Sequence, residues 1–439
     1  METFIKIVQL FLSLSLLVAI HEFGHFIVAR MFKIRVEKFY IFFDPWFSLF
    51  KFKRGDTEYG IGWVPFGGYV KIAGMIDESM DTEQMKQPAK PDEFRSKPAW
   101  QRFLVLIAGV VMNLILAFVI YCGISYAWGS TYLANDDVKW GYEFNEAAHG
   151  MGFEDGDKIV SIDGEAIDNA NEIMNALVIS DSDKHIVVER GGSLTEFTIP
   201  FDQLLEMRNN EEYKDLYAPR VPMVVGEVVS ETAKEAGLLD GDIIAGVNGQ
   251  KSYSVQVIFD LIQSNKGEDV EILVERPDSA LTLTVPVNDE GKIGFTVASS
   301  LPLRTRKYGF FESIPAGARL TGKVVANYWQ QLKMIAKPKT EMYKNLGGFM
   351  SIGNIFPSQW DWQQFWYLTG FFSIILAIMN ILPIPGLDGG HSLFTLWEIV
   401  TRRKPSDKFL EIAQYVGIVI ILALLLYANG NDIYRFFIK

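Results

Sequence analysis

Residues 12–32 form an apolar run that carries three ionisable side chains in its interior. His21, Glu22 and His25 make the pattern H-E-x-x-H. On an α-helix, two histidines at this spacing project from one face and can hold one metal ion, while the glutamate can accept a proton from water. Apolar residues surround the pattern, which favours a helix in lipid. Ionisable groups at membrane depth are costly and usually functional, so we predict a zinc site in a membrane helix.

Four stretches are long and apolar enough to span a bilayer, which takes about 20 residues of helix. They are residues 4–29, 103–128, 365–382 and 412–428. The first lacks a basic leader and a small-residue cleavage site, so we interpret it as a span and not as a signal peptide. The chain is 49% hydrophobic but 21% charged, with net charge −12, which suits a membrane protein with a large water-exposed insert. The acidic balance argues against nucleic acid as a partner.

Lysine and arginine cluster in two short connections, residues 30–54 and residues 402–408. The positive-inside rule places both connections in the cytoplasm. Both termini and the long polar segment 129–360 are then expected outside. The polar loop 76–97 is expected on the cytoplasmic side.

Residues 58–75, EYGIGWVPFGGYVKIAGM, alternate apolar side chains with turn residues. This pattern predicts a β-hairpin, and its apolarity indicates that the hairpin dips into the membrane beside the first helix. A free strand edge near a zinc site could pair with an extended substrate. The alternative is an interfacial hairpin with no binding role.

An internal repeat occupies the outer segment. Residues 147–167 and 233–252 share the scheme A-x-x-x-G-[FL]-x-D-G-D-x-I-x-x-[IV]-[DN]-G, which predicts two copies of one small α+β domain. The repeat resembles PDZ domains, which bind peptide ends by strand addition. Either the copies bind peptide or they act mainly as bulk over the membrane site. After them, residues 318–336 predict an amphipathic helix, lying on the outer membrane face or on the repeat pair.

The third span ends in MNILPIPGLDGGHSLF, residues 379–394, whose prolines and glycines must break the helix. Asp388 is a natural third ligand for a two-histidine zinc site, leaving the fourth position to water. At about 1.5 Å per residue, His21 lies roughly 25 Å into the first span and Asp388 at most roughly 35 Å into the third, so both reach the cytoplasmic half of the bilayer. His391 is a competing ligand, but we favour a structural role for it.

HEFGH at 21–25, the PFGGYVKIAGM loop, the repeat pair and NILPIPGLDGG at 380–390 resemble the site-2 protease family of intramembrane zinc metalloproteases. The resemblance implies that His21, His25 and Asp388 bind Zn²⁺ and that Glu22 is the general base. It implies a set of substrate-binding residues, namely Gly67, Gly68, Tyr69, Asn113 and Asn380. Val110 and Phe349 stand where the family commonly has proline, which affects local backbone rather than the reaction.

The fold class expected is a multi-domain membrane protein with four transmembrane α-helices, a membrane-associated β-hairpin and two inserted α+β PDZ domains outside the cytoplasm. Five domains are expected. The membrane part consists of an N-terminal half, residues 1–128, and a C-terminal half, residues 363–439. Between the halves lie PDZ domain 1 (129–215), PDZ domain 2 (216–303) and an amphipathic connector (304–362).

The resemblance further implies a zinc endopeptidase of the bacterial inner membrane. Its expected substrates are single-span membrane proteins, such as a pre-trimmed anti-sigma factor, and remnant signal peptides. Two other classes compete. A metal transporter should show repeated helices with polar residues along a path through the bilayer, whereas only one cluster is present. An inactive PDZ scaffold should have lost Glu22, because metal binding alone does not require it.

Overall fold

A computed structural model of the chain describes residues 2–75, 88–210, 212–299 and 301–437. Most of the predicted polar loop, residues 76–87, therefore lies outside the described residues. The chain forms two compact units, one made of residues 1–129 and 307–439 and the other of residues 130–306.

The first unit begins with a long helix, a small sheet and a second long helix. The elements are α1 (Glu2–Met31), β1 (Val36–Phe43), β2 (Phe50–Arg54), β3 (Thr57–Ile61), β4 (Val64–Ile72) and α2 (Ala99–Ala127). The α2 helix starts directly after Pro98, whose fixed φ suits a helix start. The two helices and the sheet share one apolar cluster, in which Ala29, Val70 and Leu106 are buried.

The predicted hairpin of residues 58–75 is wrong. Its two strands, β3 and β4, are not neighbours, because the sheet has the order β2-β3-β1-β4. Strand β1 lies between them, parallel to β3 and antiparallel to β4. The two-residue link crosses the end of β1, where Gly62 donates its N–H to the Ile41 carbonyl at 2.9 Å. A side chain at Gly62 would collide with the Phe43 carbonyl, so the crossing requires glycine.

The sheet has one apolar and one polar face. On the apolar face, Phe39 and Tyr59 contact the ring of Phe26 on α1, with ring centroids 5.4 and 6.0 Å apart. On the opposite face, the rings of Tyr40 and Tyr69 stack 5.4 Å apart. The apolar face thus holds the sheet against α1, and β4 remains an edge strand in the described part of the chain.

The second unit is α+β. Its elements are β5 (Ser130–Leu133), β6 (Tyr142–Phe144), α3 (Glu146–Gly150), β7 (Lys158–Ile162), β8 (Glu165–Ala166), α4 (Ile173–Val178), β9 (Lys184–Arg190), β10 (Ser193–Ile199), α5 (Phe201–Asn209), β11 (Tyr217–Pro219), β12 (Met223–Val228), α6 (Glu231–Glu235), β13 (Ile243–Val247), β14 (Gln250–Lys251), α7 (Val255–Ser264), β15 (Asp269–Arg276), β16 (Ser279–Pro286), β17 (Phe295–Val297) and β18 (Leu303–Arg306). Strands β10-β9-β7-β8 form one sheet and β16-β15-β13-β12-β17 another, with β14 beside β13.

The internal repeat reappears as matching hydrogen bonds. In the first copy, Arg190 donates to Asp157 at 2.7 and 2.8 Å. In the second copy, Arg276 donates to Asp242 at 2.6 and 2.8 Å. Burial by itself would raise the pKa of the Asp242 carboxyl, but the guanidinium of Arg276 holds that pKa below its ordinary value. Each copy also encloses its own apolar core, so the two copies repeat in structure as well as in sequence.

The chain returns to the first unit with five helices. They are α8 (Phe310–Ile335), α9 (Phe349–Ile355), α10 (Trp362–Ile381), α11 (Asp388–Thr401) and α12 (Asp407–Phe437). All but the last residue of the predicted amphipathic helix lie within α8. The buried side of α8 packs against α2, with Gly317 against Cys122 and Val324 in one cluster with Ala117 and Tyr121.

In the part of the chain that the structure describes, four helices, α1, α2, α10 and α12, are long and apolar enough to cross a membrane, as predicted for the four spans. Helix α10 ends at Ile381, and the proline-rich residues 382–387 that follow are not helical. This break was predicted from the prolines and glycines, and it delivers Asp388 at the start of α11.

Candidate metal centre

Three ligand atoms from two distant parts of the sequence meet inside the first unit. Asp388 Oδ2 lies 3.1 Å from His21 Nε2 and 3.2 Å from His25 Nε2, and the two nitrogens are 3.3 Å apart. Tetrahedral zinc with bonds of about 2.0–2.2 Å holds its ligands about 3.3–3.6 Å from one another, close to the 3.1–3.3 Å found here. The spacing and the donor types therefore fit zinc, with three protein ligands and a fourth position left open, as in catalytic sites.

Local structure accounts for the position of each ligand. His21 and His25 are buried and lie one turn apart on α1. Asp388 is the first residue of α11, where the positive end of the helix dipole favours a carboxylate. Its Oδ2 atom is buried, and among the described residues its close polar neighbours are the two imidazole nitrogens. A cation bound between this carboxylate oxygen and the two imidazole nitrogens would pair with all three atoms.

One face of α2 forms the wall behind the histidines. His25 Nδ1 lies 2.8 Å from the carbonyl oxygen of Val105. One turn further along, a Cβ atom at Gly109 would lie 2.5 Å from His25 Nε2 and 2.6 Å from His21 Cε1, so any side chain there would displace both imidazoles. Asn113, a further turn along, places Nδ2 3.3 Å from His21 Nδ1.

In the sequence, Gly109 and Asn113 are visible only as a small residue four positions before an amide. That spacing by itself indicates close helix packing and no metal site. Asn113 was predicted to bind substrate, but it is fully buried, and its described polar contact is with a candidate metal ligand. The contact joins residues 92 positions apart. The spacing could have suggested a polar contact, but not the identity of the partner.

Glu22 and His391 lie outside the ligand triad. The described residues that could hold a metal together are His21, His25 and Asp388 alone. Glu22 is half-buried and follows His21 directly on α1, and its role as general base stays a prediction. His391 lies in α11, one turn after Asp388, and lines a small cavity with Leu106, Phe394 and Glu398 among others. Its structural role stays a prediction.

The predicted substrate-binding loop is the edge strand β4. A Cβ atom at Gly68 would lie 3.2 Å from Val18 Cγ1, one turn before His21 on α1. Gly67 has φ +108°, which favours glycine. The side chain of Tyr69 points to the polar face, where its hydroxyl donates to Asp44 Oδ1 at 2.9 Å. Burial and the Asp44 carboxylate raise the pKa of Tyr69, so its hydroxyl stays protonated.

Asn380, the last predicted substrate-binding residue, lies half-buried in the final turn of α10, just before the break that leads to Asp388. It is outside the ligand triad, and its role stays a prediction.

Comparison with known proteins agrees with this site. Residues 9–424 match the profile of peptidase family M50. A Haemophilus influenzae protein named Regulator of sigma E protease is 30% identical over 451 residues, which cover 97% of each chain. A Vibrio cholerae protein, provisionally named a zinc metalloprotease, is 30% identical over 455 residues, again 97% of each chain. The resemblance to site-2 proteases is thereby confirmed. The chain belongs to peptidase family M50, the site-2 protease family, and is a multi-pass membrane zinc metalloprotease.

Proposed function

We propose that the protein is an intramembrane endopeptidase that cuts single-span membrane proteins at their spanning segments. One observation carries the proposal: the ligand atoms of His21, His25 and Asp388 meet among helices apolar enough to cross a membrane. In a soluble metalloprotease, the H-E-x-x-H helix is amphipathic and lies under an open cleft. Here the pattern lies well inside α1, so the peptide bond to be cut must come to the metal at membrane depth.

Strand β4 supplies a surface on which such a substrate could be held. The strand passes α1 at Val18, one turn from His21, so its edge runs close to the ligands. Among the described residues β4 pairs with β1 alone, and its other edge is free to accept an extended peptide as an added strand.

The register identifies the backbone groups on that free edge. Because Gly62 N–H donates to the Ile41 carbonyl, Ile41 faces β3, and the preceding Tyr40 must face β4. Tyr40 is opposite Tyr69, so the N–H and C=O of Tyr69 pair with β1. The same groups of Gly68 and Val70 then point away from β1, where a substrate strand could pair with them.

The residues of the site divide the chemistry between them. His21, His25 and Asp388 would hold zinc, which when bound lowers the pKa of water and polarises a carbonyl. Glu22 accepts the proton of the attacking water and passes it to the leaving amine as the peptide C–N bond breaks. The substrate must be extended, because a helical peptide bond is shielded by its neighbours. Pairing with β4 keeps it open.

The proposed substrates are single-span proteins already trimmed outside, such as an anti-sigma factor, and remnant signal peptides. The name of the Haemophilus influenzae relative, Regulator of sigma E protease, connects that relative with sigma-factor regulation, and this supports an anti-sigma factor as one proposed substrate. The repeats in the second unit are proposed to be periplasmic PDZ domains, which either bind peptide ends or exclude substrates with bulky outer domains. The proposed location is a bacterial inner membrane, with the active site toward the cytoplasm, since lysine and arginine cluster in residues 30–54 and 402–408.

Cleavage in a reconstituted bilayer tests the proposal. Purified protein in liposomes should cut a single-span substrate with a short outer tail, lose activity to a chelator, and regain it with Zn²⁺. The same enzyme should leave a soluble unfolded protein uncut. Equal cleavage of the soluble protein would contradict intramembrane specificity, because a bilayer-embedded site should be closed to it.

A further inference from the structure

Asn113 is a fully buried amide in an apolar helix, and its hydrogen bonding is incomplete. Its Nδ2 atom lies 3.3 Å from His21 Nδ1, while its Oδ1 atom is buried without a partner among the described residues. A buried carbonyl oxygen without a donor is costly, so the arrangement calls for an explanation.

The direction of the His21 ring supplies one. His21 Nε2 faces both Asp388 Oδ2 and His25 Nε2, so Nε2 is the nitrogen that would bind the metal. A neutral imidazole that binds metal through Nε2 carries its proton on Nδ1 and needs an acceptor there. The amide nitrogen of Asn113 cannot accept that proton.

A rotation of the amide by 180° removes this donor–donor conflict, and the amide nitrogen then occupies the side on which no partner is described. The oxygen and nitrogen of an asparagine amide have nearly the same shape, so their assignment follows from the hydrogen-bond network. After rotation, Asn113 Oδ1 faces His21 Nδ1 and gains the donor that it lacks. His25 already has the equivalent arrangement, with Nδ1 2.8 Å from the Val105 carbonyl.

We propose that Asn113 is a positioning residue of the metal centre, whose amide oxygen accepts the Nδ1 proton of His21 and fixes the tautomer that binds zinc. The inference rests on the proposed ligand role of His21. It replaces the predicted substrate contact of Asn113 with a role behind the ligand. It also gives α2 one function along one face: Val105 and Asn113 orient the two imidazoles, and Gly109 between them leaves room for the rings.

Metal affinity of the purified full-length protein is the decisive measurement, made by competition with a chelator for Zn²⁺ and by the absorption spectrum with Co²⁺. Asn113→Leu keeps the volume but removes the acceptor, so zinc should bind about 10–100-fold more weakly, as for other outer-shell changes. Asn113→Ala, which is smaller, should show the same loss and decides the question if the leucine variant fails to fold. Asn113→Asp keeps an acceptor and should stay within about threefold of the wild type.

Ser373→Ala is the matched control, because the Ser373 hydroxyl donates to the backbone carbonyl of Asn113 at 2.7 Å without contacting His21. It should retain zinc. If Asn113→Leu and Asn113→Ala bind zinc normally but raise KM, Asn113 is a substrate contact and the inference is wrong. Equal zinc loss in Ser373→Ala or in Asn113→Asp would also overturn it. Since zinc affinity and the Co²⁺ spectrum are measured without substrate, those results are independent of whether the enzyme cuts membrane proteins.

Discussion

Glu22 is the ionisable residue of the H-E-x-x-H pattern that lies outside the ligand triad. Glu22→Gln keeps the size of the side chain but cannot accept a proton. We expect zinc content to stay at the wild-type level while kcat falls by about 10²–10⁴-fold, the usual range for loss of a general base. Metal analysis and cleavage of a single-span substrate check this. Normal turnover by the purified variant would rule out Glu22 as the base.

Asp388 and His391 are the two candidates for the third metal ligand, and substitutions at each can distinguish them. Asp388→Ala leaves two imidazoles, so we expect a loss of zinc affinity beyond the roughly 10–100-fold of outer-shell changes. His391 lies outside the triad, so His391→Ala should retain zinc. Metal analysis of both purified variants decides, and the reverse result would make His391 the third ligand.

The sequence predicted that His21, His25 and Asp388 would come together, because the information needed was local or one-dimensional. The spacing of His21 and His25 fixes their common face on any helix, and helical rise along each span places Asp388 at a similar depth. The wall formed by Gly109 and Asn113 was not predicted, because the crossing of α1 and α2 decides which residues of α2 meet the imidazoles. Spacing within one helix contains no information about that crossing.

The sheet beside α1 shows the same limit for whole strands. Proximity in sequence and a two-residue link favoured a hairpin of β3 and β4, but both strands pair with β1 instead. A local sequence pattern cannot predict the parallel pairing of β1 and β3. In the sequence, the crossing at Gly62 has the same residue types as an ordinary turn. The error leaves the functional prediction intact, because β4 still lies at an edge.

Val70→Pro tests that edge more selectively than a change at Tyr69. Proline removes an N–H that points to the open side, whereas at Tyr69 it would remove one that pairs with β1. Tyr69 already has the extended backbone that precedes proline most readily. We expect the cleavage rate to fall by about tenfold or more. A tenfold change corresponds to about 1.4 kcal/mol, which is the net contribution of one or two ladder hydrogen bonds. The zinc content should be unchanged.

Two controls accompany this variant. Val70→Ala loses buried side-chain contacts but keeps the N–H, so it should cleave faster than Val70→Pro. A substrate with glycine or proline near its cut site should partly rescue Val70→Pro, because less helix must be undone. Wild-type cleavage by a zinc-loaded Val70→Pro enzyme would show that the edge does not hold substrate through this group.

At the level of the whole chain, the membrane unit and the repeat unit must lie on defined sides for the proposed division of labour. The repeats can screen the outer part of a substrate only if residues 130–306 are outside the cytoplasm. The charge pattern predicts that residues 130–306 are outside the cytoplasm. The connections rich in lysine and arginine are expected in the cytoplasm, and residues 130–306 follow the second span at its other end.

Ser193 and Arg403 are exposed positions that should lie on opposite sides of the membrane. In a Cys122→Ala background, which removes the single native cysteine, Ser193→Cys should react with an impermeant thiol reagent in intact spheroplasts. Arg403→Cys, in the basic connection before α12, should react only after lysis. If Ser193→Cys reacted only after lysis and Arg403→Cys reacted in intact spheroplasts, the orientation in the membrane would be the reverse of the predicted one. The repeats would then face the cytoplasm, and neither a periplasmic size filter nor capture of trimmed outer ends would be possible.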